Sequence, residues 1–147
     1  MDRERYLNEL EGEHSMIKRL FKEINQTVER KDPRDIGWLA EKVNELKMLL
    51  LGHVYREDEM LYKDLREEAV KLEQDALLPA LDVFMKSMGD ISAEAMDFFN
   101  KYGAAEKIRE NFDGFASEFA RLYEVIEKRV TSEEGSLFCI YRAYYHL

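Results

Sequence analysis

The sequence predicts an all-α protein built as an up-down-up-down four-helix bundle. Long apolar stripes recur at alternating spacings of three and four residues, the mark of one buried helix face. Glycine and proline are sparse, seven and two in 147 residues, so little interrupts helix formation. Only short polar segments separate the stripes, which favours antiparallel packing of consecutive helices. The length suits one domain over residues 1–147, large enough to build a core without disulfides.

The first helix is expected over Arg3 to Arg30, with Leu7, Leu10, His14, Ile17, Phe21, Ile24 and Val28 facing inward. Asp32 then suits an N-cap and Pro33 the first position of a second helix, which gives a sharp hairpin. That helix is expected to run to Glu73 and to bury Leu39, Val43, Leu46, Leu50, His53, Glu57 and Met60. A break at Gln74-Asp75 precedes a third helix with Pro79 near its start. Leu81, Phe84, Met88, Ile91, Ala95 and Phe98 form its inner face, and Gly103 after Tyr102 resembles a C′ glycine. The fourth helix has the longest stripe, Ile108, Phe112, Phe115, Phe119, Leu122, Ile126, Arg129, Glu133 and Leu137. The apolar ending from Phe138 through Cys139 to Tyr145 is expected to close the bundle end, with a homodimer surface as the alternative.

Composition excludes several function classes. Asp and Glu outnumber Lys and Arg by 31 to 22, and no basic cluster stands against the formal charge of −9, so nucleic acid is not an expected partner. The start Met1-Asp2-Arg3-Glu4-Arg5 has no apolar signal stretch, and no apolar run approaches the roughly 20 residues that span a bilayer. The chain is therefore expected in the cytoplasm and not in a membrane. The single cysteine, Cys139, can form neither an internal disulfide nor a thiolate metal cluster.

Polar residues invade the stripes at one level. His14 stands 18 residues before Asp32 and His53 stands 21 after it. At about 1.5 Å of rise per residue, the two imidazoles lie within a turn of the same depth. Glu57 follows His53 on the same face, four residues on. A bare carboxylate there costs several kcal/mol, on the order of other unpaired buried charges, so something must compensate it. Two histidines and a carboxylate are a metal-ligand set. The metal-free alternative balances Glu57 and Glu133 against Arg129 and a protonated histidine. Glu13, Asp58, Glu59 and Glu134 adjoin these positions but project off the stripes, and a solvated or salt-bridged face is expected for them. His146 is expected in solvent.

The strings Glu13-His14-Ser15-Met16-Ile17 and His53-Val54-Tyr55-Arg56-Glu57-Asp58-Glu59-Met60-Leu61-Tyr62 resemble the first two signature segments of the hemerythrin-like cation-binding family. Arg129-Val130-Thr131-Ser132-Glu133-Glu134-Gly135-Ser136-Leu137-Phe138 resembles that family's fourth-helix segment. The resemblance implies a four-helix bundle that holds non-haem iron, one ion served mainly by histidines of the first two helices and a second by histidines of the last two. Carried over by position, His14, His53 and Glu57 match ligands of the first iron, and Glu133 matches the fourth-helix carboxylate. Met88 and Arg129 stand where the second iron would find histidines. A thioether is a poor ligand for hard iron, and arginine keeps its proton.

One ion rather than two is thus expected, iron or another divalent metal, held by His14, His53, Glu57 and Glu133. Arg129 is expected to direct fixed positive charge toward Glu57 and Glu133, with Met88 as a packing residue. The resemblance implies binding or sensing of dioxygen, nitric oxide or iron itself. A metal-free bundle acting as a regulatory or protein-interaction module is the competing reading. No phosphate-binding glycine loop or nucleophile elbow appears, and no catalytic residue is assigned.

Overall fold

A computed structural model describes residues 2–147. Helix α1 spans Arg3–Glu29, and the Asp2 side chain caps it by accepting from Arg5 N at 3.0 Å. A one-turn 3-10 helix at Pro33–Asp35, capped by Asp32, leads into α2 at Ile36–Arg56. The chain then passes through a π-helical turn at Glu57–Leu61 and continues as α3, Tyr62–Lys71. Helix α4 covers Leu77–Lys101, α5 Ala105–Glu110, α6 Phe112–Gly135 and α7 Leu137–Tyr145. No strand occurs among the described residues.

Cross-helix contacts give the directions. From Glu13 toward Tyr6, α1 meets partners that advance from His53 to Leu61, so α1 and α2 run antiparallel. Lys101 pairs with Glu118, Glu94 with Arg121, and Phe84 with Arg129, so α4 and α6 are antiparallel as well. Phe21 against Phe119 and His14 against Glu133 close the ring between α1 and α6. The all-α, up-down-up-down bundle expected from the stripes is what forms.

Four local expectations are corrected. The second helix is not continuous, because the π-turn delays its phase by one residue. Leu61, Tyr62 and Leu65 become the buried residues, while Met60 is only half-buried. The fourth helix stops at Gly135, and α7 carries the aromatic ending. Ile108 belongs to the separate α5, which absorbs the extra length between the third and fourth helices. Gly103 does not adopt a left-handed conformation; a Cβ there would stand 2.9 Å from the Phe99 carbonyl, so close backbone approach is what requires glycine. The break near Gln74 does use a left-handed residue, Glu73, at φ 57°.

The core divides into two apolar clusters. One gathers Phe21, Ile24, Leu39, Leu46, Phe98, Phe115, Phe119 and Ile126 with their neighbours toward the α5 end. The other gathers Leu7, Leu10, Leu61, Leu65, Leu81, Leu137, Phe138 and Tyr141 at the opposite end. His14, His53, Glu57, Met88, Arg129 and Glu133 are all buried and fall between these clusters along their helices. A polar layer therefore lies between the two apolar clusters. Phe138 and Tyr141 are buried, Ile140, Tyr144 and Tyr145 pack half-buried against the same cluster, and Cys139 is exposed.

Candidate metal centre

α1 supplies His14, the last turn of α2 His53, the π-turn Glu57, and α6 Glu133. One donor atom from each of these four residues lies within 4.8 Å of every other. The imidazole centroids of His14 and His53 are 4.5 Å apart. His53 Nε2 stands 3.1 Å from Glu57 Oε1, and His14 Nε2 stands 3.9 Å from Glu133 Oε1. All four side chains predicted as ligands are thus brought together.

What these atoms lack is as informative as where they lie. His14 Nε2, His53 Nε2, both oxygens of Glu57 and Glu133 Oε2 are buried without a hydrogen-bond partner. Buried polar atoms are nearly always satisfied, so five orphans on four neighbouring side chains call for a compensating group. Two imidazole nitrogens and two carboxylates form a donor set suited to iron, zinc or a similar divalent ion. Donors about 2.1 Å from a shared ion stand at most about 4.2 Å apart, so the set fits after contracting by roughly half an ångström.

The ionisation pattern follows from burial and proximity. Burial, and then the neighbouring His53, lowers His14 to about 3, so this ring is neutral. Burial would lower His53 too, but the hydrogen bond to Glu13 and the Glu57 carboxylate beside Nε2 outweigh it and raise the ring to about 9. Burial would raise Glu57, yet Glu133 and His53 beside it hold its carboxyl below the usual range. Burial and Glu57 push Glu133 well above that range. Two carboxyls sharing one proton behave in this way.

Around the four donors stands a shell that the stripes did not reveal. His53 Nδ1 donates to Glu13 Oε1 at 2.8 Å, and Arg56 donates to the other Glu13 oxygen and to Glu9 Oε2, the latter at 2.6 Å. Of the solvated or salt-bridged face expected for Glu13, the salt bridge is what forms, and the acid fixes the His53 tautomer so that Nε2 faces the centre. Glu134 is likewise half-buried, 3.6 Å from His14 Nδ1. Phe138 stacks on His14 with 5.2 Å between centroids and 6° between planes. A visible signal existed for Glu13 and Arg56, since each immediately precedes a donor, but only the pairing of α1 with α2 brings them into contact. Asp58, Glu59 and His146 are exposed, as expected.

Tyr6 holds the π-turn. Its hydroxyl donates to Arg56 O at 2.7 Å and accepts from Leu61 N at 3.0 Å, while Tyr62 N bonds to Glu57 O. A side chain inserted into the backbone ladder is a recognised cause of such distortions. The wider turn sends both Glu57 and Tyr62 into the core, which an ordinary α-helix would separate by more than a quarter turn.

Arg129 and Met88 occupy the fourth quarter of the layer. Arg129 Nε lies 3.3 Å from Glu133 Oε1, the guanidinium donates to the Tyr62 hydroxyl, and the Phe84 ring covers it at 5.1 Å. The expected approach of Arg129 to Glu133 is present, but its other polar partner is Tyr62, because the π-turn places that hydroxyl inward and Glu57 faces His53. Met88 is buried on α4 at the level of the layer.

No helix among the described residues is long and apolar enough to cross a membrane. No curated protein and no solved structure gives a significant match to the chain. Residues 5–141 match the family described as Hemerythrin HHE cation binding domain. That span takes in all seven helices except the ends of the first and last, along with every residue of the polar layer, and the chain belongs to the hemerythrin HHE cation-binding family.

Proposed function

We propose that the protein binds a single iron ion through His14, His53, Glu57 and Glu133 and uses it to bind or sense a small diatomic ligand such as dioxygen or nitric oxide. The observation that carries this reading is the convergence of four buried ligand-type side chains from α1, α2, the π-turn and α6, five of whose polar atoms have no hydrogen-bond partner. Stoichiometry of one follows from Arg129, whose permanent charge beside Glu133 stands where a second cation would need a ligand. Iron held by four protein donors would supply open coordination positions for the ligand.

The chain's own groups have separate tasks. Glu13 keeps His53 in the tautomer that presents Nε2, and Arg56 braces Glu13 from the other oxygen. Phe138 covers one face of His14 and limits water. Arg129 and Tyr62 provide hydrogen-bond donors at the rim, suited to a ligand that gathers negative charge. Nothing in this arrangement assigns a catalytic residue.

A metal-free regulatory bundle is the second reading, favoured by one observation: Arg129 beside Glu133 and a cationic His53 beside Glu57 can neutralise two buried carboxyls without an ion. Metal analysis after expression with added iron separates the two. About one equivalent of iron supports the first reading, and less than about 0.2 equivalents of any transition metal supports the second. A new optical band on adding nitric oxide to the ferrous protein tests the open position; an unchanged spectrum removes ligand sensing.

A further inference from the structure

Between α4 and α6, on the outer side of Arg129, lies a cleft of about 340 Å³. It sits at the small end of the roughly 300–1,000 Å³ range of ligand pockets. Val83, Phe84, Ile91 and Val125 form its walls, and Val83 is 68% exposed. Ser87, Lys128, Arg129 and Ser132 supply its polar groups. Two cations line the cleft and no carboxylate does, in a chain where acids outnumber bases by 31 to 22.

The two cations differ in how firmly they are engaged. Lys128 Nζ pairs with Glu124 at 3.0 Å, but both side chains are largely exposed, and such i, i+4 surface pairs are weak enough to re-aim. Arg129 is buried and fixed by Glu133, Tyr62 and the Phe84 ring. Its Nη2 donates to Tyr62, while its Nε, 3.3 Å from Glu133 Oε1, makes no hydrogen bond. A rigid planar cation at the floor, a flexible one at the rim and an apolar wall suit a carboxylate head with a short apolar tail. Inorganic anions would use the cations and leave the wall wet; neutral apolar molecules would fill the wall and leave the cations unpaired.

We propose that this cleft binds a small organic monocarboxylate, its head between Lys128 and Arg129 and its tail against Val83, Phe84, Ile91 and Val125. Arg129 joins the cleft to the polar layer through Glu133, whereas Lys128 and the apolar wall belong to the cleft alone.

The test titrates the purified protein with hexanoate, hexan-1-ol and inorganic phosphate and follows backbone amide signals by NMR, with metal content measured separately. Hexanoate is expected to give saturable shifts at Val83, Ser87, Val125 and Ser132, and to bind at least tenfold more tightly than either probe. Lys128→Gln is expected to weaken hexanoate at least fivefold while leaving hexan-1-ol unchanged. Val125→Trp, which fills the cleft, is expected to abolish both, and its folding is checked by circular dichroism. Should it misfold, Lys128→Gln still decides. Equal affinity for hexanoate and hexan-1-ol, binding by phosphate as tight as by hexanoate, unsaturable shifts, or indifference to Lys128→Gln would each overturn the proposal.

Discussion

His53 Nδ1 donates to Glu13 Oε1 at 2.8 Å, so the acid one position before the first candidate ligand orients the second. The contact ties α1 to α2 at the level of the polar layer and leaves His53 Nε2 as the donor that faces the centre. The Glu13 carboxylate, the His53 imidazole and the proposed ion would form a carboxylate–histidine–metal arrangement.

Glu13→Gln tests that arrangement. The amide keeps the shape but loses the charge that holds His53 cationic and oriented, and Arg56 loses its partner. Metal affinity is expected to fall about 10–100-fold, as for other orienting acids. Competition with a chromophoric chelator measures it, and a wild-type affinity in the variant would assign Glu13 a purely structural role.

Tyr6→Phe removes the hydroxyl that bridges Arg56 O and Leu61 N. Leu61 N is then left without a partner in a buried turn, a loss of about 1–3 kcal/mol. Urea denaturation of the metal-free protein reads this directly. Because the π-turn aims Glu57, metal affinity is expected to drop as well, and unchanged stability would show that the turn persists without Tyr6.

Loading with metal is expected to release protons. In the metal-free chain the His53 ring is raised to about 9, above an unfolded value near 6.5, so it is cationic at neutral pH and must lose a proton to coordinate. Affinity should therefore rise with pH and level off above about 9. The same shift means that His53 stabilises the metal-free fold fully below about pH 6.5, with that contribution lost as pH rises through about 9. Calorimetry in buffers of different ionisation enthalpy should report about one proton per ion from His53, and more where Glu133 also ionises. His14, already lowered to about 3, should contribute none.

The double substitution Met88→His with Arg129→His is expected to move stoichiometry from one ion toward two. It restores two imidazoles to the quarter of the layer now occupied by a thioether and a guanidinium. His53→Ala in the same background is expected to abolish retention at the first position. Elemental analysis of the purified variants decides, and a stoichiometry unmoved by the double substitution would misplace the second site.

The apolar stripes carried the helical class, the antiparallel order and the common depth of His14 and His53, because helix periodicity and rise per residue are local properties. They also exposed Glu57, Arg129 and Glu133 as charges on faces that must be buried. Local rules reach no further than one helix. The π-turn at Glu57–Leu61 depends on a hydroxyl 55 residues before Leu61, so the burial of Leu61 and Tyr62 in place of Met60 could not be read from spacing. Glu13 was expected on a solvated or salt-bridged face, and only the meeting of α1 with α2 supplied His53 and Arg56 as its partners. The partnership of Arg129 with Tyr62 likewise arose only when the widened turn carried that phenol inward to α6. Which side chains satisfy a buried charge is settled by contacts between helices, and those follow from packing the stripes together.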